Sequence, residues 1–294
     1  MTLRVSVVVP VYRSEASLAE LHRRLTATVE GLDAVVHELV LVDDASPDGS
    51  WSEVVRLADL DPRVVGVRLA ANVRQLRAIF AGTSVASGEV LVVMDADLED
   101  PPEAVAALVA AHRTGHDLVV ARRIGRPRSP VRTLGSFAVN LAARSLRLPT
   151  DDVGSSFLLF TPAIEAGLRD ELDRTGRQML MPTTFALARR PTVVDVAEPD
   201  ASPSAYPVRA LLRMGVELVA VDLAPRLGRA LGVGSIVLLV APGGGRRARA
   251  LGVALGLAGV AATVGPRTVR RDQREPLYRV AEVVGAGLRS PSAP

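Results

Sequence analysis

Between residues 93 and 103 the chain reads Val93-Met94-Asp95-Ala96-Asp97-Leu98-Glu99-Asp100-Pro101-Pro102-Glu103. An apolar strand there ends in two carboxylates two positions apart, with a further acid at Glu99. Side chains two apart on extended backbone point the same way, so Asp95 and Asp97 can converge on one cation. Hard carboxylate oxygens suit Mg²⁺ or Mn²⁺, ions that keep positions open for a substrate's phosphates. The competing reading is a solvated turn whose acids cap a helix. Placement at the end of a buried strand favours the metal.

A second acidic strand end is Leu39-Val40-Leu41-Val42-Asp43-Asp44-Ala45-Ser46-Pro47-Asp48-Gly49-Ser50. Turn chemistry accounts for Pro47, Asp48 and Gly49 but leaves Asp43 and Asp44 unexplained. An Asp in that position can accept hydrogen bonds from a nucleobase or a ribose. The third segment is Val8-Val9-Pro10-Val11-Tyr12-Arg13-Ser14-Glu15, where the first strand is expected to stop at a proline. Tyr12 could offer its ring face to a base, or simply cover the end of the sheet.

These segments need a scaffold that gathers strand ends. Continuous β-branched runs at residues 5–9, 39–42, 64–67, 90–94 and 118–120 predict strands covered on both faces, the mark of a central parallel sheet. Helical patterns at 16–29, 51–57, 76–87 and 103–112 alternate with them. Ser50 is placed to cap the second helix, and Pro101-Pro102-Glu103 to start the fourth. The fold class is therefore doubly wound α/β, with ligands expected at the carboxyl ends of the strands. Further on, an Arg/Pro-rich loop (122–128), a helix (131–146), strands at 156–160 and 193–196 and an amphipathic helix (206–220) are expected.

Composition narrows the chemistry. The 294 residues include no Cys and no Lys, all 35 basic residues being Arg, against 32 acids. Disulfides, thiolate metal sites, a P-loop lysine and Schiff-base catalysis are thereby excluded. The four His are too scattered for a ligand set, and 3% aromatics without an interleaved basic run argue against nucleic acid. Two apolar runs of about 16 residues, 230–245 and 250–265, flank Arg246-Arg247-Ala248-Arg249. Each sits at the short limit for crossing a bilayer, and spanning would put the arginine turn outside, against the positive-inside tendency. A hairpin lying in the membrane surface or against the domain is the alternative to spanning.

Taken together, the three acidic and proline-bearing segments resemble the family-2 glycosyltransferases of GT-A fold. The likeness is closest to the polyprenyl-phosphate branch, and includes Asn72 to Gly82, 117–123, 152–157 and Arg274-Glu275-Pro276-Leu277-Tyr278. The resemblance implies residues 1–210 as the transferase domain, 211–228 as a linker helix, 229–266 as the apolar hairpin and 267–294 as a cytosolic tail. It implies Pro10, Tyr12, Glu15, Asp43, Asp44 and Asp95 around a nucleotide sugar, with Asp95, Asp97 and Glu99 on Mg²⁺ or Mn²⁺. Asp97 and Asp152 become the candidate catalytic residues, with Asp152 near the acceptor. The implied activity is inverting transfer of a hexose from a UDP- or GDP-linked donor to a polyprenyl phosphate at the cytoplasmic membrane face, with a homo-oligomer possible. A soluble or cell-envelope glycan acceptor, or a binding protein without turnover, are the alternatives. The chain departs from the family at Leu158, Pro199 and Ala205, where relatives carry Arg or Lys, and at Arg74, where Gly is usual.

Overall fold

The computed structural model describes residues 3–30, 35–124, 156–175, 180–197 and 278–285. The β-branched runs become strands β1 (Arg4–Val11), β2 (Val35–Asp43), β3 (Val64–Leu69), β4 (Val90–Val93) and β5 (Leu118–Ile124). Later in the chain come β6 (Leu158–Phe160), β7 (Pro191–Ala197) and β8 (Val280–Val284). The helices are α1 (Glu15–Glu30), α2 (Ser50–Leu60), α3 (Gln75–Val85), α4 (Val105–Arg113), α5 (Pro162–Thr175) and α6 (Leu180–Leu187). A 3₁₀ turn at Pro102–Ala104 leads into α4, so the double proline opens that helix as expected.

One sheet runs β7-β5-β6-β4-β1-β2-β3-β8. Strands β1, β2, β3 and β4 are mutually parallel where they pair, while β6 lies antiparallel between β4 and β5. The continuous valine runs are explained by cover on both faces. Val5, Val7, Val9 and Val11 face the cluster that holds Leu18, Leu21 and Leu25 of α1, Trp51 and Val54 of α2 and Leu108 of α4. Val8, Val40 and Val42 face the opposite cluster, with Ala78 to Ala81 of α3 and Ile164, Leu168 and Leu172 of α5. Burying each such side chain is worth roughly 1.5–3 kcal/mol, which fixes the register of the sheet. Contrary to expectation, the first strand does not stop at Pro10 but runs on beside β2 to Val11; the ladder with β4 has already ended at Val8–Val93, so the missing N–H does not break that pairing.

Three expectations are corrected. Ser50 does not cap α2; it is the helix's first residue, and Gly49 precedes it. The Ser50 hydroxyl instead donates to Asp48 (2.7 Å) and accepts from the Ser14 N–H (2.9 Å), tying the end of β1 to the end of β2. Residues 280–284, expected in a tail beyond the domain, form β8 and pair antiparallel with β3. Arg122 and Arg123, expected in a loop, belong to β5. The helices expected at 131–146 and 206–220, the hairpin at 229–266 and Asp152 lie outside the described residues. Among the described residues no helix is long and apolar enough to cross a membrane.

Gly82 sets how closely α3 lies on the sheet. A Cβ there would collide with methyl groups of Val8 and Val42, both fully buried. Overpacking costs about 1–3 kcal/mol, and Ala gains about 1 kcal/mol of helix propensity over Gly. Because the obstructing atoms belong to stiff β-branched side chains, the collision wins. Gly82→Ala should therefore lose about 1–2 kcal/mol in urea unfolding; equal or greater stability would show that α3 can slide outward.

A candidate nucleotide-sugar site at the carboxyl end of the sheet

The carboxyl ends of β1, β2 and β4 meet where β1 has one parallel partner on each side, the position at which open α/β sheets bind ligands. The loop after β4 is tied down from several directions. The Met94 N–H donates to Val8 O (3.3 Å), the Ser17 hydroxyl to Ala96 O (2.6 Å) and the Asp95 N–H to Asp100 Oδ2 (3.0 Å). Asp95 Oδ1 accepts from the Gln75 amide (2.5 Å) and from the Ser156 hydroxyl (2.8 Å). Asp97 is exposed, and its Oδ1 accepts from the Glu99 N–H (3.0 Å).

Asp100 is fully buried, and Arg123 of β5 reaches both it (3.0 Å) and Glu99 (2.9 Å). Burial pushes the Asp95 and Asp100 carboxyls well above the ordinary range. The Asp97 charge raises Asp95 further, against the lowering effect of Ser156, Arg123 and Gln75. Two mutually repelling acids beside an exposed third carboxylate make a place where added positive charge is favoured. The donor set fits a hard cation through Asp95 and Asp97, because such an ion takes one or two carboxylates and completes its shell with water and phosphate. Glu99 does not join them: its carboxylate is engaged by Arg123, and no cluster of three or more metal-binding side chains forms among the described residues.

At the end of β2 the two acids separate in role. Asp44 turns inward and accepts from the backbone N–H groups of Val73 (2.7 Å) and Arg74 (3.0 Å), while its own carbonyl accepts from Asn72 (3.2 Å). Its carboxylate is thus committed to the start of α3 rather than presented to a nucleoside. Asp43 is also buried. Its Oδ1 accepts from the Ser46 N–H (3.2 Å), and its Oδ2, which has no hydrogen bond, lies 3.7 Å from Arg68, itself stacked over Trp51. Burial raises both carboxyls despite those bonds.

Tyr12, just beyond β1, is exposed with Arg13 over its ring, and Pro10 is half-buried. Glu15 accepts from the Gly49 N–H (3.0 Å), so it braces the turn after β2. Among the described residues four non-glycine positions adopt positive φ, namely Arg13 (56°), Ala45 (53°), Arg74 (74°) and Leu98 (64°). All four lie in the loops of this one end. Arg74, with ψ 158°, occupies a region that is essentially reserved for glycine and costs about 1–3 kcal/mol. Such strain persists only where surrounding contacts over-determine it, here the Asp44 carboxylate.

The structure therefore brings Pro10, Tyr12, Glu15, Asp43, Asp44, Asp95, Asp97 and Glu99 to one end of the sheet. Three participants carried no role in the sequence reading: Gln75, Ser156 and Asp100. The acid directly before the double proline was the visible signal for Asp100. Leu158, one of the departures, is fully buried in β6 between Val93 and Val120 and supplies packing. Pro199 and Ala205 lie outside the described residues.

Known proteins resemble this chain in sequence and fold. An undecaprenyl-phosphate 4-deoxy-4-formamido-L-arabinose transferase of Erwinia tasmaniensis is 33% identical over 241 residues, covering 81% of this chain and 73% of the relative. The transferase of the same description from Salmonella paratyphi A is 34% identical over 248 residues, 81% of this chain and 75% of the relative. Among solved structures, glucosyl-3-phosphoglycerate synthase from Mycobacterium tuberculosis, in complex with Mn²⁺, uridine diphosphate and glucosyl-3-phosphoglycerate, superposes with a TM-score of 0.53 at 20% identity. That match covers 74% of this chain and 78% of the other, and it shows the shared GT-A fold. The pattern of glycosyl transferase family 2 matches residues 6–153, from the buried start of β1 through the acids that close β2 and β4. The chain belongs to glycosyl transferase family 2.

Proposed function

We propose that this chain transfers a sugar from a nucleotide donor to a polyprenyl phosphate at the membrane surface, with inversion at the anomeric carbon. The single observation that carries the reading is the Asp95–Asp97 pair at the end of β4, one acid half-buried and held by Gln75 and Ser156, the other exposed. Relatives named as undecaprenyl-phosphate sugar transferases supply the acceptor class. A divalent cation, Mg²⁺ or Mn²⁺, held by Asp95 and Asp97 would offset the charge that develops on a departing nucleoside diphosphate.

The chain's own residues do the rest. Pro10, Tyr12 and Asp43 flank the nucleoside. Asp44 and Glu15 hold the loops that shape this wall, rather than touching the ligand. Gln75 and Ser156 fix the Asp95 carboxylate, so it is already oriented when a donor arrives. A lipid phosphate, with a second pKa of about 6, is largely ionised at neutral pH and is a competent nucleophile without a strong base. Asp152 is proposed to sit near that acceptor. The sugar named for the relatives is an arabinose derivative, so the donor set to be examined includes such pentoses beside hexoses.

The test uses the full chain in detergent with Mn²⁺ and a panel of radiolabelled UDP- and GDP-sugars. Label should move into an organic extract only when undecaprenyl phosphate is added, with nucleoside diphosphate released in equal amount. Equal transfer to a water-soluble glycan without lipid would replace the acceptor assignment. Donor binding without any turnover would replace the enzyme with a binding protein.

A further inference from the structure

Arg74 holds a backbone conformation suited to glycine, with φ 74° and ψ 158°, yet carries a long cationic side chain. Its place is fixed from both sides. Its own N–H donates to Asp44 (3.0 Å), and the side-chain amide Nε2 of the next residue, Gln75, donates to Asp95 (2.5 Å). Arg74 therefore stands between the acidic ends of β2 and β4. Its side chain is exposed, and no hydrogen bond or ion pair of its guanidinium occurs among the described residues.

The neighbouring arginines are otherwise engaged. Arg68 lies against Asp43 and over Trp51, Arg122 pairs with Asp195, Arg123 holds Glu99 and Asp100, and Arg13 lies over Tyr12. A divalent cation on Asp95 and Asp97 would do little more than balance those two carboxylates, so the diphosphate's own charge calls for a further cation. A guanidinium offers paired donors that match two phosphate oxygens.

We propose that Arg74 binds the diphosphate of the donor nucleotide, and that this contact is what the strained backbone secures. The inference rests on the nucleotide-sugar reading above. It is tested by calorimetric titration of the full chain with UDP and GDP in Mn²⁺, and with uridine and guanosine by displacement. Arg74→Gln keeps the strain and removes the charge, whereas Arg74→Gly removes both. Both variants should bind the preferred diphosphate about tenfold more weakly, with nucleoside affinity unchanged. Arg74→Gly should also melt about 2–4 °C higher, and Arg74→Gln close to the parent.

Unchanged diphosphate affinity in both variants would overturn the inference, leaving an arginine that is merely tolerated. Failure of the parent chain to bind either diphosphate would overturn the nucleotide-sugar reading itself, and this inference with it.

Discussion

Asp97→Ala is expected to lower sugar transfer by at least about a hundredfold, the scale on which removal of one preorganised electrostatic group acts. The fold should hardly notice. Asp97 is exposed, and the one hydrogen bond it makes among the described residues, from the Glu99 N–H, can be taken over by water. Surface changes of this kind stay within about 0.5 kcal/mol, so the melting temperature should move by no more than about 2 °C. Asp95→Asn provides the contrast. That side chain is held by Gln75 and Ser156, and its loss should weaken both activity and the packing of the loop after β4. Initial rates with a saturating donor, measured across a Mn²⁺ titration, separate the two. Transfer by Asp97→Ala within a few-fold of the parent would remove this residue from the reaction.

Asp44→Ala should do the reverse, damaging stability first. The substitution strands two backbone N–H groups, those of Val73 and Arg74, that now share one carboxylate. Bonds to a charged acceptor are worth about 1.5–3 kcal/mol each when buried, and the partial exposure of this turn lowers the total. A loss of about 2–3 kcal/mol in denaturant unfolding is expected. Asp44→Asn, which keeps one accepting oxygen, should lose about half as much. Because Asp44 also constrains Arg74, its removal should let that backbone relax, and donor affinity should fall as a secondary effect. An unfolding midpoint unchanged in Asp44→Ala would mean that the carboxylate faces a ligand after all, as the sequence alone suggests.

That reversal marks where reading a sequence stops. Strands β1 to β5 were legible because uninterrupted β-branched runs have few other homes, and the Asp-x-Asp signal because two acids at a buried strand end need a reason. What the Asp44 carboxylate touches was not legible. Its partners lie 29 and 30 residues away, and nothing local distinguishes an acid that braces a loop from one that awaits a ligand. Arg123 presents the same difficulty in mirror image. In an Arg/Pro-rich stretch it looks solvated, yet it sits in β5 and closes an ion pair with the buried Asp100. The antiparallel insertion of β6 between β4 and β5 left no periodic trace, since a strand covered on both faces reads alike in either direction. Residues 280–284 are not visible in the sequence because five residues at an edge, two of them exposed, lack the length that made the inner strands stand out.

The pairing of β8 with β3 bears on how the protein can be handled in the laboratory. Shortening the chain from its far end, the obvious way to discard the apolar stretches before crystallisation, would also strip away the strand that shields residues 64–69. Bare sheet margins recruit other molecules, so a product cut before position 278 should self-associate. Excising an internal stretch between about 205 and 270 and rejoining the flanks with a flexible spacer would keep that guard in place.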